Sequence, residues 1–162
     1  MNQEAMPEVY RLRLFHWQLF ATLTFRYSPD SRAMSLPLVF VWLRKVATAS
    51  QIHFKRLLWV LRFETGPRSG RGHYHICLAG IPLASLCQYL CLSLESVWQA
   101  CGGGLAKVTF YNRARDGVGY ILKLPQVSQE HLLRKNCSRT SGDDCEPMLS
   151  ASLLDAVRRS PM

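Results

Sequence analysis

Two strand-like runs close together in the middle of the chain constrain its fold more than any other feature. Leu57 to Glu64 (LLWVLRFE) and Gly72 to Ala79 (GHYHICLA) are rich in aliphatic, β-branched and aromatic residues, and the loop between them, Thr65 to Arg71, holds Gly, Pro and Ser. That pattern predicts an antiparallel hairpin. Upstream, Trp17 to Phe25 (WQLFATLTF) reads as a strand, and Tyr27 to Asp30 as a turn. From Leu36 the apolar positions Leu36, Val39, Phe40, Leu43, Val46 and Ala47 follow helical spacing, with Ser35 placed to cap and Pro37 tolerable in the first turn. Downstream, Pro82 opens a helix with an apolar face of Leu83, Leu86, Cys87, Leu90, Leu94, Val97 and Trp98, which Gly102-Gly103-Gly104 stops. Ala106 to Tyr111 reads as a further strand, and Asp116 to Leu124 as a short helix ended by Pro125. The order β-α-β-β-α-β-α predicts an α+β fold of the split β-α-β type, ferredoxin-like or RRM-like, with an antiparallel sheet and its helices packed on one face.

At 162 residues and 48% apolar content the chain can bury one core without disulfides. We expect one domain over residues 1–125, with its core in 17–124, followed by a polar tail over 126–162. In that tail Ser138 to Asp144 (SRTSGDD) is expected to be disordered and Leu149 to Arg159 to form a short terminal helix. Residues 1–15 carry little pattern. Twenty Lys and Arg against eleven Asp and Glu give a formal charge of +9, which favours a polyanionic partner, nucleic acid or an anionic membrane. The basic residues are scattered, so no run resembles a juxtamembrane patch. Cys77, Cys87, Cys91 and Cys101 lie in or beside regular elements and no CxxC pair occurs, so they are expected as reduced, buried small hydrophobes. Glu4 and Glu8 break the charged-then-apolar order of a secretory signal, and a cytoplasmic location follows by default. The uncharged stretch Ile76 to Leu94 divides at Gly80 and Pro82 into a strand end, a turn and a helix, so no membrane span is expected.

The chemistry concentrates in the hairpin. His73 and His75 are two apart, so in a strand both imidazoles project from one face and can share a cation. If Glu64 pairs with His73 across the loop, Arg62 pairs with His75, and Glu64 joins the two imidazoles on that face. The opposite face then carries Trp59, Leu61, Phe63, Tyr74, Ile76 and Leu78, a continuous apolar surface for helices to cover. Two imidazoles and a carboxylate with open positions suit Mg²⁺ or Mn²⁺ bound to a phosphate oxygen, and imidazole also tolerates Zn²⁺. On the last helix Tyr120 and Lys123 are three apart, hence on one face, while Val118, Ile121 and Leu122 supply packing.

Together these residues resemble the three motifs of the HUH endonucleases, in particular the rolling-circle replication initiators of plasmids and single-stranded DNA phages. FATLTF (Phe20 to Phe25) is similar to their first strand motif, HYHICL (His73 to Leu78) to their metal motif, and YILK (Tyr120 to Lys123) to their nucleophile motif. The resemblance spans residues 17–124, with Trp98 and the Gly run between the second and third motifs. It implies a DNA-nicking and strand-transfer enzyme with His73 and His75 as metal ligands, Glu64 by position as the third, Tyr120 as nucleophile and Lys123 assisting at the phosphate. The expected product is a 5′-phosphotyrosyl link that a later 3′-hydroxyl can reverse. Some initiators carry a second Tyr four residues on, where this chain has Leu124, so a single-tyrosine enzyme is implied. No GxxxxGK[ST] loop follows, which points to a separate host helicase. Single-stranded DNA, at an origin or an extruded hairpin, would be the substrate, with Arg62, Arg68, Arg71, Arg113 and Arg115 as candidates for backbone contacts. Two other readings differ in class: a single-tyrosine HUH transposase acting on hairpin ends of a mobile element, and a non-enzymatic single-strand binder that stacks bases on sheet aromatics.

Overall fold

The structure, a computed structural model, describes residues 8–27, 32–66, 70–123 and 147–159. Its elements run α1 (Glu8–Leu14), β1 (Leu19–Thr24), α2 (Arg32–Ala49), β2 (Leu58–Thr65), β3 (Gly72–Ala79), α3 (Gln88–Ala100), β4 (Ala106–Phe110), α4 (Gly117–Leu122), β5 (Met148–Leu149) and α5 (Ala151–Arg159). The fold is α+β: one five-stranded antiparallel sheet in the order β4-β1-β3-β2-β5. The first four strands of that order are those of a split β-α-β arrangement, with α2 and α3 as the connections.

The hairpin register decides which side chains share a face. Glu64 pairs with His73, Arg62 with His75, and Phe63 with Tyr74. Because side chains alternate along a strand, this register sends Trp59, Leu61, Phe63, Tyr74, Ile76 and Leu78 to one face, where they join Leu19, Leu23 and Val108. On that face α2 lays down Val39, Trp42, Leu43 and Val46, and α3 lays down Leu90, Leu94 and Trp98. The Trp42 and Trp98 rings meet edge to face, 6.4 Å between centroids, and the Trp42 indole donates to the Leu94 carbonyl at 3.0 Å, so its polar atom is paired inside the core.

The expectation of helices on one face only is corrected by the other side of the sheet. Val60, Cys77 and Ala79 are buried there beneath Leu12 of α1, Val118, Ile121 and Leu122 of α4, and Leu153 and Val157 of α5. Three apolar residues on the second face of β2 and β3 would otherwise stand in water, and these short helices cover them. The short helix expected over Leu149 to Arg159 forms as α5, but this stretch packs on the fold and is no free tail, and the two residues at its head extend the sheet. Met148 and Leu149 pair with Leu61 and Val60, and Ser150 ties the corner: its N–H donates to the Trp59 carbonyl at 3.0 Å and its hydroxyl caps α5 by accepting from the Leu153 N–H at 3.3 Å. The expected disorder at Ser138–Asp144 lies outside the described residues.

Other boundaries also shift. α1 forms where no element was expected. α2 begins at Arg32, so Ser35 lies inside it rather than capping it, buried, with its hydroxyl 3.0 Å from that of Tyr74. Pro82 begins a 3₁₀ turn (Leu83–Ser85), and α3 starts only after the extended backbone of Cys87. Leu83, expected on the apolar face, is exposed, and so is Cys87, while Cys77 and Cys91 are buried. Among the described residues no helix is long and apolar enough to cross a membrane.

Candidate metal centre and nucleophile

The loop end of the hairpin brings Glu64, His73 and His75 together at the edge of the area that α4 covers. Each of the three offers one ligand atom, and these atoms all lie within 4.8 Å of one another. Glu64 Oε2 is 3.6 Å from His75 Nε2 and 3.9 Å from His73 Nε2. The other ring nitrogens are held from behind. His73 Nδ1 lies 3.3 Å from the Arg71 carbonyl oxygen. A carbonyl only accepts, so in this contact Nδ1 carries the hydrogen, and Nε2 is the ring nitrogen that faces Glu64. His75 Nδ1 lies 3.2 Å from the hydroxyl of Thr22, its cross-strand partner on β1. Phe20 stacks on the His75 ring at 5.8 Å, and the two imidazoles meet edge to face at 4.8 Å. Outer contacts of this kind fix the rings that would hold an ion. The donor set therefore fits a metal ion.

Electrostatics keep the set ready for a cation. Burial, then the neighbouring His73, hold the pKa of His75 down to about 4 against the pull of Glu64, so its imidazole is neutral at pH 7. For Glu64 burial is the largest single effect and raises the pKa, but the hydrogen bonds from Lys123 and Tyr120 and the Lys123 charge together outweigh it, and the carboxyl titrates below its ordinary range.

α4 supplies the remaining two groups. Tyr120 is half-exposed, and its hydroxyl donates to Glu64 Oε2 at 2.8 Å. Lys123 donates its ammonium to Glu64 Oε1 and lies over the Tyr120 ring, 4.2 Å from the centroid. The Tyr120 ring also meets His75 edge to face at 5.2 Å. A phenol, an ammonium, a carboxylate and two imidazoles thus converge on one spot.

α4 is too short to hold itself, since a six-residue helix lies far below the length at which isolated helices form. Asp116 caps it, accepting from the Gly119 N–H at 3.2 Å, and Arg13 of α1 grips the same carboxylate through Nη2 at 2.7 Å and Nε at 3.2 Å. At the other end Lys123 closes the helix in a left-handed conformation, φ 54°.

Of the arginines expected along a DNA backbone, Arg71, Arg113 and Arg115 are exposed, the last two on the turn just before α4. Arg68 lies outside the described residues, as does Leu124. Arg62 is a correction. It shares the face of Glu64, but two residues further from the loop, where α4 covers the sheet. Its side chain is buried, 7% exposed, and Nε donates to the Ile121 carbonyl, so it is turned into the protein and not toward a ligand. Residue-by-residue reading missed Thr22, Phe20, Arg13 and Asp116. The parity of β1 could have nominated the first two, but nothing in the sequence pairs Arg13 with Asp116, 103 residues away. Comparison with protein-family models, with curated proteins and with solved structures finds no match to this chain.

Proposed function

We propose that the protein is a metal-dependent endonuclease and strand transferase of the HUH type, acting on single-stranded DNA through Tyr120. The observation that carries this reading is the hydrogen bond from the Tyr120 hydroxyl to Glu64, which sets a phenol directly against a two-histidine, one-carboxylate donor set. The half-exposure of Tyr120 and the charge of +9 fit a polyanionic substrate approaching that phenol.

In this reading His73, His75 and Glu64 hold a divalent cation, Mg²⁺ or Mn²⁺, whose chemistry would be to polarise a phosphate oxygen and offset its developing charge. The chain's own residues do the rest. The Tyr120 oxygen attacks the phosphorus, forming the tyrosyl–phosphate bond as the bond to the 3′-oxygen breaks. The phenolic proton passes to solvent as the Tyr120 hydroxyl leaves its hydrogen bond to Glu64, and the departing 3′-oxygen takes a proton from solvent. Lys123, whose ammonium sits over the Tyr120 ring, favours the phenolate and the charge gathering on the phosphate. The products are a 5′-phosphotyrosyl link and a free 3′-hydroxyl, and reversal by another 3′-hydroxyl transfers the strand. Nicking at a replication origin to start rolling-circle copying, with a separate host helicase opening the duplex, is the use that this chemistry suits.

The test is incubation with varied single-stranded DNA and Mn²⁺ or Mg²⁺, followed by denaturing gels. A covalent protein–DNA adduct should form, vanish on chelation, and be absent in Tyr120→Phe and in His73→Ala/His75→Ala. Binding with no cleavage across all sequences would instead favour a non-enzymatic single-strand binder.

A further inference from the structure

The buried guanidinium of Arg62 joins the strand of the candidate metal centre to the helix of the candidate nucleophile. It sits two residues before Glu64, opposite His75 in the hairpin register, and donates to the carbonyl of Ile121, the residue after Tyr120. That carbonyl lies in the last turn of α4, which ends at Leu122, so no N–H inside the helix reaches it. In an α-helix it would accept from the N–H four residues on, and that residue is Pro125, which has none. A long buried cation is an unusual choice on the face of β2 that also buries Val60, where an aliphatic residue would bury as well and cost less to desolvate. What the arginine adds is a directed hydrogen bond from the sheet to the last turn of α4.

We propose that Arg62 is the positioning residue of the nucleophile: by holding the Ile121 carbonyl it fixes α4, and with it Tyr120 and Lys123, at a set distance from Glu64, His73 and His75. This rests on the function proposed above for Tyr120, and it replaces the expectation that Arg62 touches DNA. With Asp116 and Arg13 gripping the N-terminal end of this six-residue helix, Arg62 supplies an anchor toward its C-terminal end. Losing it lets the phenol drift, and a displacement of about 1 Å in a reacting group is enough to slow a reaction about 100-fold.

The experiment compares wild type with Arg62→Met, which keeps most of the apolar stem, and Arg62→Lys, which keeps a charged donor. Two readouts are taken: the single-turnover rate of adduct formation with affinity for the same DNA oligonucleotide, and hydrogen exchange of the α4 amides with DNA and metal absent. Anchoring predicts an adduct rate about 100-fold lower in Arg62→Met at saturating DNA, affinity unchanged, partial recovery in Arg62→Lys, and faster exchange confined to Tyr120–Lys123 while β2 and β3 stay protected. Weaker affinity with a salt dependence shallower by about one phosphate contact would make Arg62 a DNA ligand and overturn the proposal. So would unchanged α4 exchange. If Arg62→Met fails to fold, Arg62→Lys gives the same two readouts. A wild-type protein that forms no adduct would sink the proposed function instead, and the exchange data would still decide whether Arg62 anchors α4.

Discussion

Lys123 combines two properties that substitutions can separate. Its backbone is left-handed, a conformation that costs a residue with a Cβ about 1 kcal/mol or more, and its ammonium bridges Glu64 and the Tyr120 ring. Lys123→Gly removes the charge and the strain, whereas Lys123→Met removes the charge alone. Both should slow adduct formation, on the order of 100-fold, as expected for losing one charge-stabilising donor. The Gly variant should be the more stable of the two by about 1 kcal/mol in urea denaturation. Equal rates in wild type and both variants would remove Lys123 from the chemistry. At this scale the sequence was informative where geometry follows from parity. Glu64, His73 and His75 could be grouped because one hairpin register fixes which side chains share a face, and Tyr120 and Lys123 because positions three apart on a helix are neighbours. The same parity put Arg62 beside Glu64, but parity says nothing of what lies above a face. The covering helix turned an expected DNA contact into a buried anchor.

At the scale of the element, α4 exists through its neighbours, and Asp116 is the residue on which that depends most. It occupies a left-handed conformation at φ 45°, caps the helix, and receives Arg13 in a two-pronged ion pair. Asp116→Asn keeps the tolerance for that backbone and an oxygen for the cap, losing the ion pair, and should cost about 1 kcal/mol or less because the pair is partly exposed. Asp116→Ala loses all three and should cost about 2 to 3 kcal/mol, a left-handed penalty plus a cap plus the pair. Thermal unfolding checks the order; an Asn variant as damaged as the Ala variant would shift the weight from the cap to the Arg13 charge. The glycines at the end of α3 show a similar dependence. A Cβ at Gly103 would stand 2.2 Å from the Trp98 ring, which is fully buried and held by its indole hydrogen bond to the Thr24 carbonyl at 2.7 Å. The Gly run was readable as a stop, yet not as the space into which Trp98 packs. α1 and β5 escaped notice for a related reason: seven and two residues carry too little periodicity, and both are fixed by contacts made elsewhere in the chain.

For the whole molecule, the pattern of strands and helices was enough to foresee the split β-α-β sheet and the apolar face under α2 and α3, because those connections are local and long. The second apolar face was harder to see. Val60 and Cys77 share their side with Arg62, Glu64, His73 and His75, so the strands read as polar there, and the residues that cover them come from α1, α4 and α5, distant in sequence from β2 and β3. The consequence is that residues 148–159 belong to the fold that supports the site. Leu153 is fully buried against this face, and α5 and α1 touch each other and, through α4, the nucleophile. Leu153→Ala should therefore cost about 3 kcal/mol, the usual loss for a buried leucine whose surroundings cannot fully collapse. Because the cavity opens under α1 and α5 rather than under α2 and α3, the damage should appear first on the second face. Hydrogen exchange should quicken in α1, α4 and α5 before it does in β1 or β3. Denaturant titration reads the total cost and exchange reads its place. A loss below about 1 kcal/mol, the range of ordinary surface substitutions, would return residues 148–159 to the status of a tail and leave α1 and α4 as the cover of this face.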